Sequence, residues 1–430
     1  MKILWVINLM IPAIAEQYGI QASNREGWLS GVFDSFATQE TGDYELAVAF
    51  PVSDAKYVNN NSPILVRGIA CYPFYEDLSH PELYNAGLDD QFLRIINSFS
   101  PDILHVAGTE FPHGLSAARA FNNPERTLVT IQGICRKIAD DYMAEIPAYV
   151  KNRVTFRDWL KNDSIISQQE RFFKRAKNET ELLTLSKHIG GRTDFDRNYA
   201  GEVNPTALYH KLNETMRGAF YGEDLKWEYV NARPHSIFIG QGDYPIKGLH
   251  FLLEAAGMLV KEYPDLSINI AGNSIIEHKS IKDRLKTPSY GAYLRRLIKR
   301  NGLKGRVCAT GPLSEQEMIE KYLSASIFIC SSYVENSPNT VAEAMLIGMP
   351  VVASDAGGIT SVISGEEGMI FHRGDASALA ENIRTIWSME DGNDEKIVSL
   401  CKKAKKRALR DYDRKANHDA LLAVYDGMME

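Results

Sequence analysis

The stretch IFICSSYVENSPNTVAEAMLIGMPVVASDAGG, residues 327–358, contains a strand, a loop, a helix and a second strand. Its first four residues are apolar and predict a buried strand. Ser337 predicts a helix N-cap with Pro338 at the first helical position, and Gly348 followed by a proline ends that helix. Strands that alternate with helices are typical of a parallel sheet.

The same alternation runs through both halves of the chain. In the first half, β-rich apolar runs predict strands at 3–7, 45–50, 64–69, 103–106 and 128–131, with helices around 26–37, 88–98 and 113–121. In the second half, strands are predicted at 236–239, 267–271, 306–309, 327–330 and 351–353. The sequence therefore predicts an α/β chain with two doubly wound, Rossmann-like parallel sheets, and ligand chemistry in a cleft between their carboxyl edges.

A length of 430 residues allows two or three domains. We expect an N-terminal domain over 1–210, interrupted by a polar, basic, helical insertion near 136–188. A C-terminal domain is expected over 211–395, with a C-terminal helix at 396–430 that packs back on the N-terminal domain. Within the second domain, Ser314 and Glu317 predict a capping box.

Composition excludes several classes of protein. The 48 basic and 55 acidic side chains give a net charge of −7, which disfavours a nucleic-acid binder. Five cysteines without close spacing predict neither a zinc site nor disulfides, and indicate a reducing compartment. We interpret residues 3–7 as a strand rather than part of a signal peptide, because Asn8 and Pro12 interrupt the apolar run. A cytoplasmic protein is expected.

The helix after residue 338 carries the chemistry. Glu343 falls away from its apolar face, and Glu335 lies in the loop just ahead of it. Free amides at a helix N-terminus suit a diphosphate, and carboxylates suit sugar hydroxyls, so the pair fits a nucleotide-sugar. The alternative is an ordinary solvent-facing helix start with two surface glutamates.

The pattern ENSPNTVAE, with Glu335 and Glu343 at its ends, closely resembles the signature of retaining GT-B glycosyltransferases, specifically glycosyltransferase family four. SIFIGQGDYPIKGLHFLLEAA and RVCATGPLSEQEMIEKYLSAS resemble the family's phosphate loop and the region before the signature. HIGGRTDFDR and LYHKLNETMRGAFY resemble a branch associated with bacterial surface polysaccharides. The resemblance implies a GT-B fold and sugar transfer with retained anomeric configuration from a nucleoside diphosphate sugar to a glycan or lipid-linked acceptor.

By the same resemblance, Glu335 would hold the transferred sugar and Glu343 the nucleotide ribose. Amides of Asn339 and Thr340 would lie near the diphosphate or sugar, and Lys247 would neutralise the diphosphate. Gln241 stands where the family usually has an arginine, so one diphosphate cation is lost.

The N-terminal domain offers fewer matches. Gly27 begins the first long helix, where the family usually has a glycine pair near the donor, and Gln132 stands where many relatives place a histidine. His105 and Glu110, at and beyond a strand end, are candidates for the acceptor or sugar side. A lone histidine is more often a satisfied core residue.

No cofactor is implied, and metal-independent transfer is expected. Asp194 and Asp196 could suggest a metal-binding pair, but structural pairing of Asp196 with a neighbouring arginine is the favoured interpretation. A nucleotide-sugar epimerase of GT-B shape and a non-catalytic nucleotide-sugar-binding protein stay open as alternatives. A dehydrogenase is disfavoured because no GxGxxG follows an early strand.

Three segments are basic, with net charges of +5 at 151–177, +9 at 279–306 and +7 at 396–415. In the first, aromatic and basic side chains interleave, as in a helix that lies at a membrane surface. One interpretation is contact with the anionic inner face of the cell membrane. The favoured interpretation is an amphipathic helix packed on its own domain. The members are Phe156, Trp159, Leu160, Phe172, Phe173, Arg157, Lys161, Arg171 and Lys174.

Overall fold

The computed structural model describes residues 1–20, 27–38, 44–222, 224–277, 285–392 and 395–430. The chain divides into two compact units. Unit 1 comprises Met1–Ala139, Arg171–Arg217 and Tyr412–Glu430, and unit 2 comprises Asp140–Glu170 and Gly218–Asp411. Each unit is built on one sheet.

The sheet of unit 1 has eight described strands in the order β3-β4-β2-β1-β5-β6-β7-β8. All neighbouring strands are parallel except β3 and β4, which form an antiparallel hairpin. The single strand predicted at 64–69 is therefore wrong, because Arg67 and Gly68 adopt φ values of 50° and 83° and turn the chain. The strands are β1 (Lys2–Ile7), β2 (Glu45–Val52), β3 (Ile64–Val66), β4 (Ile69–Tyr75), β5 (Ile103–Ala107), β6 (Thr127–Thr130), β7 (His188–Gly191) and β8 (Leu208–Lys211).

Helices cover both faces of this sheet, and each face has its own apolar cluster. The last helix, α17, belongs to unit 1: its Tyr425 hydroxyl accepts a hydrogen bond of 2.8 Å from the indole of Trp5 on β1. The helices from the N-terminus to residue 203 are α1 (Pro12–Gln17), α2 (Gly27–Thr38), α3 (Gly87–Phe99), α4 (Pro112–Phe121), α5 (Cys135–Asp141), α6 (Ala148–Lys151), α7 (Phe156–Leu160), α8 (Ile165–Thr184) and α9 (Asp194–Val203), and the last is α17 (Arg414–Met429).

The sheet of unit 2 has six described strands, all parallel, in the order β11-β10-β9-β12-β13-β14. Trp387 is fully buried beside it, and its indole donates a 3.0 Å hydrogen bond to Ser326. The strands are β9 (Arg233–Ile239), β10 (Ser267–Ala271), β11 (Val307–Gly311), β12 (Ala325–Cys330), β13 (Val351–Ser354) and β14 (Met369–Phe371). The helices are α10 (Leu249–Leu259), α11 (Ser289–Arg300), α12 (Glu315–Ser324), α13 (Asn339–Ile347), α14 (Ile359–Val362), α15 (Ala376–Asp391) and α16 (Glu395–Asp411).

Two segments belong to other units than their sequence position suggested. Part of the insertion, Asp140–Glu170, packs in unit 2. There the imidazole Nε2 of His250 lies 2.9 Å from the carbonyl oxygen of Ala144, and the amide of Ser289 donates to Asp158 over 2.9 Å. The single helix expected over 396–430 is two helices, of which α16 lies in unit 2 and α17 in unit 1. The main division falls at 217/218 rather than 210/211.

The capping box of Ser314 and Glu317 is confirmed at the start of α12, with both reciprocal bonds present. No helix within the described ranges is long and apolar enough to cross a bilayer. In the same ranges no cluster of three His, Cys, Asp or Glu side chains has the geometry of a metal site.

Candidate functional site

The strand order of unit 2 reverses between β9 and β12. From β9 the chain continues outward to β10 and β11, whereas β12 is followed on its other side by β13 and β14. At such a switch point the loops after the two central strands diverge and leave a crevice, where ligands of doubly wound sheets bind. The candidate donor residues other than Gly27 lie in these two loops and in the helix after the second.

The closest pair in this crevice is Lys247 and Glu335. Lys247 Nζ donates to Glu335 Oε2 over 2.7 Å, and Ser332 Oγ donates to the same oxygen over 3.1 Å. About a fifth of each charged side chain is exposed. Burial opposes the charge on Lys247, but the Glu335 carboxylate outweighs that effect, so the pKa of Lys247 is raised above its usual value. The site thus presents a fixed cation next to a fixed carboxylate.

Gly248 permits this pairing. It has φ +68°, and a Cβ at this position would stand 1.8 Å from the carbonyl oxygen of Ser331. Ser331 Oγ in turn donates to the carbonyl of Lys247 over 3.1 Å, and the amide of Tyr333 donates to Ile246 over 2.7 Å. The loop after β9 is therefore held against the loop after β12 by its backbone.

The start of α13 completes the crevice. Asn339 and Thr340 are its first two residues, and both are half-buried. A Cβ on Gly240, just after β9, would lie 2.7 Å from Thr340 Cγ2, so the helix start adjoins the other loop. The predicted cap by Ser337 is wrong: Pro338 occupies the N-cap and no side chain caps the helix. The amide of Val341 donates to the carbonyl of Pro338 over 3.0 Å, whereas the amides of Asn339 and Thr340 precede the first bond of the helix and can bind an anion.

Glu343 is almost fully buried on α13, with 5% of its surface exposed. Its Oε2 lies 3.0 Å from the hydroxyl of Tyr322 on α12, which also lies 3.1 Å from the carbonyl oxygen of Thr340. Neither Glu335 nor Glu343 is thus an ordinary surface glutamate. The sequence did not identify Tyr322 and Ser332 as site residues, because only the charged residues of the quoted signature indicated a role in binding.

Gln241 lies in the loop after β9 and is half-buried. Its Nε2 donates to Asp243 Oδ1 over 2.8 Å. This position therefore supplies a neutral amide beside a carboxylate, where the resemblance implied a cation.

Unit 1 has a comparable switch point between β1 and β5. Glu110, in the loop after β5, accepts from Asn8 Nδ2 and from the amide of Gly133, each over 2.7 Å. A Cβ on Gly108, which has φ +100°, would stand 2.0 Å from Asn8 Nδ2. Glu110 thus joins three loops at the carboxyl edge. His113 is fully buried behind it, with its Nε2 3.1 Å from Asn8 Oδ1.

His105 is a core residue within β5. Its Nδ1 lies 2.6 Å from the Tyr425 hydroxyl and its Nε2 lies 3.1 Å from Thr130 Oγ1. Burial lowers the pKa of His105 to about 3. The ring is therefore neutral at physiological pH and both of its nitrogens are engaged, an arrangement typical of a structural histidine.

Gln132 follows β6 and is held by two charged residues that the sequence did not single out as site residues. Its Nε2 donates to Glu214 Oε1 over 2.6 Å, and its Oε1 accepts from Arg192 over 3.2 Å. Arg192 also contacts Glu214 directly, and burial lowers the pKa of Arg192. Both residues lie in the quoted motifs HIGGRTDFDR and LYHKLNETMRGAFY, which were the only signal for them.

This trio lines a cavity of about 60 Å³ in unit 1, together with apolar side chains that include Trp5 and Leu29. Within the described residues, Arg192 Nε and Glu214 Oε2 are buried without a hydrogen-bond partner. Buried polar atoms of this kind ordinarily bind water or a ligand hydroxyl.

Gly27 and Asp196 both lie at helix starts in unit 1. Gly27 is the first residue of α2, and the residues just before it, 21–26, lie outside the described ranges. Asp196 forms a capping box with Thr193 at the start of α9 and accepts from the amide of Arg192 over 2.9 Å. Its carboxylate therefore fixes the start of α9, and its negative charge also favours the charged form of the Arg192 guanidinium.

Residues 233–389 match the family described as Glycosyl transferases group 1. This range lies wholly within unit 2 and contains Lys247, Glu335 and Glu343, so every donor-side candidate except Gly27 falls inside it.

Similar sequences extend beyond this range. The sulfoquinovosyl transferase SQD2 of Arabidopsis thaliana is 26% identical over 363 residues, which cover 81% of this chain and 60% of the plant protein. A D-inositol 3-phosphate glycosyltransferase of Streptomyces coelicolor is 28% identical over 235 residues, covering 49% of this chain and 50% of that protein. The chain thus spans less than two thirds of the length of these relatives.

The fold is shared with solved structures over the full chain. Anabaena HepE, solved in complex with UDP-glucose, aligns with a TM-score of 0.67 at 15% identity and covers 99% of this chain and all of its own. The chain has the GT-B fold, with one Rossmann-like sheet in each unit. The fold-class prediction is confirmed.

Proposed function

We propose that this chain is a retaining, metal-independent glycosyltransferase that moves a sugar from a nucleoside diphosphate sugar to a hydroxyl of a glycan or lipid-linked oligosaccharide. The proposal includes a role in polysaccharide or capsule biosynthesis at the inner face of the cell membrane. The observation that carries it is the 2.7 Å contact between Lys247 and Glu335 at the switch point of a group 1 glycosyltransferase domain.

The residues of the crevice take complementary roles in this proposal. Lys247 and the first-turn amides of Asn339 and Thr340 neutralise negative charge on the diphosphate. The diphosphate thereby becomes less basic and a better leaving group. Once the diphosphate occupies Lys247, Glu335 accepts hydrogen bonds from hydroxyls of the transferred sugar and stabilises positive charge at its reacting carbon. Glu343, oriented by Tyr322, accepts from the ribose hydroxyls.

Unit 1 supplies the acceptor or sugar side in this proposal. Glu110 is fixed by Asn8 and the amide of Gly133, and Gln132 is fixed by Arg192 and Glu214. Rigid hydrogen-bonding groups of this kind orient a hydroxyl for attack, which is the main contribution a transferase without a covalent nucleophile can make. His105 lines the cavity next to these residues but offers no hydrogen bond to a substrate, because both of its ring nitrogens already have partners.

Glu335→Gln tests the assignment, because the variant keeps the shape of the side chain and removes its charge. We expect the rate constant for transfer from UDP-sugars to fall by about 10²–10³-fold, as when one electrostatic stabiliser of a transition state is lost. Glu366→Gln is the matched control, since Glu366 is an exposed glutamate of unit 2 that also pairs with a lysine. Transfer by Glu335→Gln at close to the wild-type rate would remove the proposed site.

The coupling constant of the product's anomeric proton tests retention. The product is expected to have the anomeric configuration of the donor, and the opposite configuration would exclude the retaining mechanism.

One observation favours a second candidate function. Gln241 donates to Asp243 and brings no positive charge to the diphosphate site. A non-catalytic nucleotide-sugar-binding protein would bind the donor without releasing nucleoside diphosphate in the presence of any acceptor. Nucleotide release that requires an acceptor would exclude that candidate, and sugar conversion without an acceptor would instead indicate an epimerase.

A further inference from the structure

Helix α7 in unit 2 has its polar and apolar faces reversed relative to a typical surface helix. Its one fully buried residue is the acidic Asp158, which is 1% exposed, whereas Phe156, Trp159 and Leu160 are 59%, 71% and 66% exposed. Surface helices of soluble proteins normally bury the apolar stripe and expose the charges. The large apolar side chains of α7 therefore form an outward-facing patch.

Asp158 accounts for this orientation. Its carboxylate accepts from the amide of Thr155 over 3.2 Å in a capping box, and from the amide of Ser289 at the start of α11 over 2.9 Å. Arg157 also lies 3.2 Å from it and 2.5 Å from Asp163. The inner face of α7 is thus fixed by polar bonds, and rotating the apolar side chains inward would break them.

Two of the three basic segments of the sequence meet at this place. The ring of Tyr149 on α6 lies 6.3 Å from that of Tyr293 on α11, and the guanidinium of Arg296 lies 5.2 Å above the Tyr149 ring. Residues 148–162 and 285–306 together contain eleven basic side chains and one acidic one, the buried Asp158. We call the face formed by residues 148–161, which include α6 and α7, and by α11 the basic-aromatic face.

The exposed members of this face combine the two features that a lipid surface requires. The large apolar side chains more than half exposed are Tyr149, Val154, Phe156, Trp159 and Leu160, and the exposed basic ones are Lys151, Arg153, Lys161, Arg296, Lys299 and Arg300. Apolar and aromatic groups insert at the level of the lipid headgroups, where tryptophan is especially favoured. Each basic side chain near an anionic surface adds about 1 kcal/mol of attraction.

The second half of the aromatic and basic set predicted at 151–177 does not share this face. Phe172 and Phe173 belong to unit 1, where the guanidinium groups of Arg175 and Arg136 lie 4.5 Å and 5.9 Å from their rings. Arg171 lies 3.6 Å from Glu82 of the same unit. These side chains have partners in unit 1.

We propose that the basic-aromatic face of unit 2 is the surface by which this protein docks on an anionic lipid membrane. The inference rests on the proposed function in naming the membrane as partner, and it assigns the contact to the unit that carries the donor crevice. Docking takes place without insertion of a transmembrane helix, through side chains of the basic-aromatic face.

Vesicle flotation with the full chain tests the proposal. Phosphatidylcholine vesicles are compared with vesicles in which about a third of the lipid is phosphatidylglycerol, because the anionic headgroup supplies the attraction. We expect the wild type to float only with the anionic vesicles. Trp159→Ser combined with Leu160→Ser should lower the bound fraction at least tenfold, while Val230→Ser, at an 84% exposed position outside the face, leaves it unchanged.

A charge-matched pair isolates the basic contribution. Arg296→Glu with Lys299→Glu should abolish flotation, whereas Lys402→Glu with Lys406→Glu on α16, which changes the net charge equally, should not. Equal effects of the two pairs would overturn the proposal, because they would show attraction to net charge alone. Flotation of the wild type with neutral vesicles only, or with none, would also overturn it.

Transfer to a water-soluble acceptor separates this inference from the proposed function. The variants of the basic-aromatic face should retain that rate, since none of the substituted residues lies in the donor crevice. If transfer occurs and vesicle binding does not, the docking surface fails and the proposed function stands. If Trp159→Ser converts a dimer to a monomer in solution and vesicle binding is unchanged, the face is an interface between copies and the proposal is wrong.

Discussion

Gly248→Ala perturbs the candidate donor site at one backbone position. Gly248 has φ +68°, and the added Cβ would stand 1.8 Å from the carbonyl oxygen of Ser331. Ordinary contacts begin near 3.4 Å, so the two loops must separate by about 1.6 Å. Because Lys247 precedes this residue and contacts Glu335 over only 2.7 Å, the separation would disrupt their ion pair.

The expected magnitude has two parts. Left-handed backbone costs a residue with a Cβ about 1–2 kcal/mol, and an overpacked contact costs about 1–3 kcal/mol more. Gly305→Ala isolates the first part, since Gly305 has φ +81° and nothing lies within 4 Å of the added Cβ. At about 2–4 °C per kcal/mol for a domain of this size, Gly248→Ala should melt several degrees below Gly305→Ala.

The functional readout is initial-rate transfer from a UDP-sugar. A displacement on the order of 1 Å at a positioned group can lower the rate by about 10²-fold. We therefore expect kcat/KM to fall by that order in Gly248→Ala and to stay near the wild-type value in Gly305→Ala. Equal melting temperatures and equal rates in the two variants would contradict the role assigned to Gly248, because they would show that the loops after β9 and β12 do not hold each other in place.

Three further outcomes follow from the structure. Gln241→Arg should tighten UDP-sugar binding by about tenfold through a charge-assisted hydrogen bond, measured by calorimetry with Gln241→Met as the control. Unchanged affinity in Gln241→Arg would mean that the diphosphate lies elsewhere. His105→Gln should leave the shape of the pH–rate profile between pH 6 and 8 unchanged, because burial lowers the pKa of His105 to about 3. If the variant instead lost an ionisation near pH 6.5, His105 would be an acid–base group of the reaction. Burial raises the pKa of Glu390 to about 9, so the wild type should lose stability as pH rises from 4.5 to 9. Glu390→Gln should therefore have a higher melting temperature than the wild type at pH 8 but not at pH 5. The same difference in melting temperature at both pH values would contradict this expectation.

Much of the fold was predictable because its strands are short apolar runs bounded by turns. The strand predicted at 267–271 coincides with β10, and the capping box at Ser314 begins α12. The short strands β7 and β8 were missed, since HIGG and LYHK carry little apolar signal. The placement of 140–170 in unit 2 depends on non-local contacts, such as that of Ser289 with Asp158, which no local pattern encodes.

The candidate site divides in the same way. Glu335 and Lys247 are 88 residues apart in sequence, and each could be singled out only from its local motif, but the parallel pairing of β9 with β12 brings them into contact. Tyr322 and Ser332 could not be identified, because their roles arise from packing around the two glutamates. The reversed polarity of α7 was also beyond sequence reasoning: a pattern of alternating aromatic and basic residues does not reveal which side faces the protein.

Lys247 and Glu335 form the proposed site of the donor diphosphate and sugar. The most direct test is calorimetric titration of UDP into the wild type and into Lys247→Met, with Lys402→Met on α16 as control. Removal of the Lys247 charge should weaken UDP binding at least tenfold, equivalent to about 1.4 kcal/mol, and the control should bind as the wild type does. Unchanged UDP affinity in Lys247→Met would contradict the assignment of the crevice between the β9 and β12 loops as the donor site.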